Sequence, residues 1–139
     1  MGCRVAQPPE PRYFTQAEAE ALLPEIDRLL GTAQELVTRL EQLDPREERA
    51  AHTNGQVLGR NEASAASEAE QHDLQRRLGG IVNQIQQQGV IVRDLRSGLI
   101  DFLARREGQD IFLCWRRGEP LRLEWWHPIE TGIAGRQRL

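Results

Sequence analysis

Between Leu22 and Leu43 apolar side chains fall at Leu22, Ile26, Leu29, Ala33, Leu36, Leu40 and Leu43, in alternating steps of four and three residues. Only an α-helix gathers positions so spaced onto one face, so this stretch is a helix whose heptad seam must find a partner. Its start is marked too. Thr15 and Glu18 form a T-x-x-E capping box, with Phe14 in the staple position before it. Pro24 lies inside the pattern and cannot donate a hydrogen bond to the preceding turn, so a kink or a restarted helix is expected there. Asp44-Pro45 ends the seam.

From 44 to about 64 the chain is polar and carries Asn54-Gly55 and Gly59, the texture of a mobile connector. A second helix is predicted from about Ser64 to Gln88, with Leu74, Leu78, Ile81 and Ile85 on one face, Gly79-Gly80 weakening its middle and Gly89 as C-cap. Two helices joined by one connector predict an antiparallel hairpin. The first seam is richer than the second helix can cover. Either the hairpin zips only its own helices, or it self-associates into a dimeric, coiled-coil-like four-helix bundle.

After Gly89 the pattern changes to β-branched and alternating runs: Val90-Ile91-Val92, Leu99 to Leu103, Asp110 to Arg116 and Leu121 to His127. The turns between the later runs, R-R-E-G-Q and R-R-G-E-P, contain glycine. Apart from Tyr13 and Phe14, every aromatic residue lies in this part. The expectation is an α+β chain, a long antiparallel helical hairpin followed by a small antiparallel β-meander. Residues 1–12, with three prolines, form a flexible tail; 13–88 form the hairpin; 89–139 form the meander and a C-terminal loop packed with the hairpin as one domain.

Charge narrows the function classes. All 18 basic residues are Arg, which supplies planar, bidentate cations and excludes lysine Schiff-base chemistry. The net charge is −3, so a general nucleic-acid binder is not indicated. Residues 90–139 hold 9 Arg against 7 acids, a mild bias toward an anionic ligand. No apolar run is long enough to span a membrane, and the N-terminus has neither a leader nor, with Ala6, a myristoylation signal after Gly2-Cys3. A cytoplasmic location follows as an expectation. Cys3 and Cys114 suggest no disulfide framework.

Familiar catalytic motifs are absent: no CxxC pair, HExxH, Walker loop or GxSxG occurs. His52 and His72 read as surface residues. The informative stretch is the meander. Strand alternation sets Cys114 with Phe112 and Arg116, and Trp115 with Ile111 and Leu113; extended through the next run, it sets His127 with Leu121, Leu123 and Trp125. Asp101, between Ile100 and Phe102, needs solvent or a partner such as Arg. Candidate binding residues are Asp101, Trp115, Glu119, Trp126, His127, Glu130 and Arg136. Cys114 and His127 are candidate ligands of a transition metal, the possible cofactor. Arg136, among the backbone amides near Gly132 and Gly135, suits an anion. Cys114 reads equally as a small buried hydrophobe, and the tryptophans as core.

Several of these residues also fall in a pattern. Tyr13-Phe14-Thr15, Glu18-Ala19 and Ala21-Leu22-Leu23-Pro24 resemble the opening of a bacterial family known as domain of unknown function 2203. The resemblance continues at Gly89-Val90, Gly98-Leu99-Ile100-Asp101-Phe102, Leu113-Cys114-Trp115, Gly118-Glu119, Trp126-His127, Gly132 and Gly135-Arg136. Arg138 stands where the family ending has proline, and the 44–64 connector matches no family pattern. The resemblance implies a small bacterial cytosolic protein and brings no activity with it. It singles out Asp101, Cys114, Trp115, Glu119, Trp126, His127, Gly135 and Arg136 as motif positions.

Three functions compete, the last a purely structural coiled-coil scaffold that accounts for residues 15–88 but not for the charged and aromatic sheet. A non-catalytic binding or interaction module would use a polar site at the meander end. A small metal-dependent or Cys/His enzyme would use Cys114 and His127, with Asp101 or Glu130 orienting them, and requires these groups to converge on one exposed surface.

Overall fold

The computed structural model describes residues 11–43 and 62–139. Residues 44–61 of the expected connector, Cys3, His52 and most of the N-terminal tail lie outside the described residues, and 62–64 open the second helix. Helix α1 (Gln16–Gln42) and helix α2 (Glu62–Gln87) form the hairpin. Five strands follow: β1 (Ile91–Asp94), β2 (Leu99–Arg106), β3 (Gln109–Arg116), β4 (Trp125–Pro128) and β5 (Gln137–Arg138). They pair antiparallel in the order β1-β2-β3-β4-β5, with a short 3-10 helix (Gly132–Gly135) before β5. The α+β architecture is the one the periodicities predict.

Helix α1 begins as its capping box dictates. The Thr15 hydroxyl oxygen accepts from the Glu18 N–H at 3.1 Å and donates to the Glu18 carboxylate at 3.0 Å. Phe14 is buried and packs edge-on to Phe102 of β2, while its N–H donates to the Leu103 carbonyl at 2.8 Å. The helix entry is thereby bonded to the sheet.

The helix runs through Pro24 without restarting, and the ring faces solvent. The seam is broader than one heptad line. Ala19, Leu23, Ile26, Leu30 and Ala33 are fully buried, a second four-three series lying one residue from Leu22 and Leu29. Paired apolar residues at 22–23 and 29–30 widen the stripe, which lets one helix meet a sheet and a second helix together. The sheet-side core joins Leu23, Ile26 and Leu30 to Ile100, Phe102, Ala104, Ile111, Leu113 and Trp115. Arg39 of α1 reaches Glu70 of α2 at 2.9 Å, near the far end of the hairpin.

Register in the meander is set by the β2–β3 turn. Glu107 and Gly108 both have positive φ, 52° and 78°, which identifies a two-residue turn of the type whose twist matches the flanking strands. Counting back from that turn pairs Arg106 with Gln109 and Asp101 with Cys114. Strand β4 is shorter than the sequence run suggests, beginning at Trp125. The alternation expected from Leu121 therefore fails: Leu123 belongs to the helix-side core, whereas His127 lies outside it. The expected C-terminal loop is ordered as the 3-10 turn and β5, which pairs Gln137 with Trp126 and Arg138 with Trp125.

Candidate functional site

Alternation gives the sheet two unlike faces. One carries the apolar residues that meet the helices. The other carries Asp101 on β2, Phe112 and Cys114 on β3, and Trp125 and His127 on β4. Asp101 is directly opposite Cys114, and His127 is opposite Phe112, one pair along. Cys114 and His127 thus share a sheet face, as the enzyme reading requires, but the surface is not exposed. Asp101, Cys114 and His127 are 2%, 1% and 2% accessible.

The carboxylate is the hub. Both its oxygens lie 3.1 Å from His127 Nε2, and Arg93 Nε donates to Oδ2 at 2.9 Å. His127 Nδ1 lies 2.8 Å from the Pro128 carbonyl oxygen. Both ring nitrogens therefore face oxygen acceptors, which orients the imidazole from both sides. Arg93 sits where the β1–β2 register shifts between Val92 and Asp94, and its guanidinium also stacks on Phe112 at 4.9 Å. An irregularity of that kind re-aims a side chain.

The thiol has its own partners. Arg136 Nε donates to Cys114 Sγ at 3.3 Å. The rest of the Arg136 guanidinium is held by Glu119, with NH2 to Oε1 at 2.6 Å and NH1 to Oε2 at 3.2 Å. Glu119 is itself fixed by the Arg116 N–H at 2.6 Å. Burial pushes the Cys114 thiol up to about 11, and the Asp101 charge adds to the rise while Arg136 opposes it. For Arg136 burial works against the charge, but the Glu119 and Cys114 hydrogen bonds outweigh it and raise its pKa. One oxygen, one nitrogen and one sulfur donor, from Asp101, His127 and Cys114, all lie within 4.8 Å of one another.

The structure thus brings together Asp101, Cys114, Glu119, His127 and Arg136. It does not bring Trp115, Trp126 or Glu130 to the cluster. Trp115 is buried on the helix side, its Nε1–H donating to the Pro120 carbonyl at 2.9 Å. Trp126 packs against the same core beneath the Arg106 guanidinium. Glu130 is exposed in the turn after β4. Arg136 is engaged by Glu119 and Cys114, so an anion seated on it has to displace Glu119. His72 is exposed, as expected. Sequence reasoning missed Arg93. The one signal for it was the need of Asp101 for a basic partner, and strand β1 supplies it. A separate cleft of about 500 Å3, floored by Phe14, Ala104 and Ile111 and rimmed by Arg105, Arg106 and Leu139, contains none of the predicted site residues.

A helical hairpin covering one face of a five-stranded meander, with a buried Asp–Cys–His centre on the other, defines a small α+β protein with a polar heart. The chain belongs to the DUF2203 family, described as an uncharacterized conserved protein, whose model matches residues 12–139. No curated protein and no solved structure gave a significant match. No helix among the described residues is long and apolar enough to cross a membrane.

Proposed function

We propose that this protein is a non-catalytic binding module whose site is the polar centre on the sheet face opposite the helical hairpin. One observation carries this reading: three ionisable side chains at least 98% buried share one face and are oriented by two arginines and a glutamate. Apolar residues of similar volume would fill the space without the desolvation cost of burying charges, so a centre of this composition is poorly accounted for by packing alone. The Cys/His enzyme reading gains from the shared face of Cys114 and His127. It loses to the state of the thiol, because an activated nucleophile needs a lowered pKa and Cys114 has a raised one.

The test is a thermal-shift screen of the purified full-length protein against phosphate, sulfate, zinc and cobalt salts, run beside His127→Gln. A ligand that raises the melting temperature of the wild type and not of the variant supports the binding reading. No shift with any of the four overturns it. The wider setting of the reading is a bacterial, cytoplasmic protein that associates with itself through the hairpin in coiled-coil fashion. The half-buried Leu40 and Leu78, which lie outside the sheet-side core, support that association. Sedimentation equilibrium reads it directly: a monomer at every concentration removes it.

A further inference from the structure

Resting on the reading of this face as a binding site, we infer that Asp101, Cys114 and His127 form a binding site for a divalent, thiophilic transition metal of the zinc class. The donor set is the first argument. Thiolate, imidazole and carboxylate together suit zinc and its neighbours, whereas magnesium and calcium take oxygen ligands. Three protein ligands are also the number found where zinc keeps an open position.

Spacing is the second argument. Ligand bonds of roughly 2.0–2.3 Å put the donors of a tetrahedral site about 3.3–3.8 Å apart. The three donors here already lie within 4.8 Å, on three strands whose register is fixed by backbone pairing. Side-chain rotations of about 1 Å close the difference.

The surroundings are the third. A metal-bound histidine characteristically donates its other ring N–H to a carbonyl or carboxylate, and His127 Nδ1 is placed 2.8 Å from the Pro128 oxygen. Arg93 steadies the carboxylate at 2.9 Å, and Arg136, anchored by Glu119, steadies the sulfur at 3.3 Å. Such outer contacts orient ligands and tune their basicity. Thiolate and a free Nε2 lone pair are the ligating forms, so metal binding releases protons to solvent.

The experiment uses the full-length chain without an affinity tag, stripped with chelator and titrated with cobalt(II). The expected result is one equivalent bound per chain, with a thiolate-to-cobalt charge-transfer band that zinc abolishes by competition. Cys114→Ser removes the band, and His127→Gln weakens binding at least tenfold. Arg136→Gln, which leaves all three ligands in place, weakens binding about 10- to 100-fold while keeping the band. Circular dichroism of each variant separates lost ligation from lost fold. Absence of the band in the folded wild type overturns the assignment. So does binding that survives in both Cys114→Ser and His127→Gln. If phosphate or sulfate stabilises the wild type while cobalt does not bind, the binding-module reading stands and the metal assignment falls.

Discussion

At the scale of single residues, guanidinium chemistry organises the surface of this chain. With no lysine available, arginines stack on aromatic rings: Arg12 on Phe14, Arg93 on Phe112, Arg105 on Tyr13, Arg106 on Trp126, and both Arg136 and Arg138 on Trp125. Asp101 is the hub of the buried centre. Asp101→Ala leaves a buried imidazole without its acceptor and is expected to cost about 1–3 kcal/mol in urea unfolding. The Arg93 contact contributes the smaller share, because that side chain is 43% exposed. A loss below about 1 kcal/mol contradicts this account. Cys114 makes a pH prediction for the metal-free protein. Its folded pKa, about 11, lies above the ordinary 9.0, so the fold favours the neutral thiol. That contribution is full below pH 9 and is lost as pH rises from 9 toward 11, on the order of 3 kcal/mol at most. Wild type should therefore lose stability relative to Cys114→Ala across that window. Alkylation of the native thiol should stay slow until the same range.

At the scale of elements, two local sequences work against the structures they occupy. Gly79 and Gly80 lie inside α2, and a methyl group added at either would meet nothing within 4 Å. Alanine at either site is expected to stabilise the protein by about 1 kcal/mol, read as a rise in the denaturation midpoint. Glu107 adopts the left-handed conformation that its two-residue turn demands. Glu107→Asn, which tolerates that conformation, should add about 1 kcal/mol without altering the meander. A destabilised Glu107→Asn variant would mean that the glutamate makes an offsetting contact. The helix stop is better served: Gly89, with φ of 91°, takes the bend where α2 gives way to the sheet.

At the scale of the whole molecule, α1 is the element both other layers need. Arg117, just past β3, reinforces its seat by bonding Asp27 at 3.0 Å and Gln34 at 2.9 Å across the bare backbone at Gly31. The sheet-facing stripe should dominate stability. Leu30→Ala is expected to cost about 2–5 kcal/mol and Leu22→Ala distinctly less, by chemical denaturation. Equal costs would refute the two-stripe description. The sequence by itself determined the helices, the capping box, the first three strands and the hairpin-then-meander order, because each is written in spacing between neighbours along the chain. It also brought Asp101, Cys114, His127 and Arg136 forward as residue types in an unusual setting. Tertiary structure alone decided which of the candidates meet. The Glu107–Gly108 turn sets Asp101 opposite Cys114, the β3–β4 register that pairs Phe112 with His127 puts His127 on their face, and the shifted register of β1 delivers Arg93. Trp115 is next to Cys114 in sequence and on the opposite face of the sheet, since a one-residue step in a strand reverses direction. Periodicity reports which side of an element faces inward; only register between elements brings distant side chains within bonding distance.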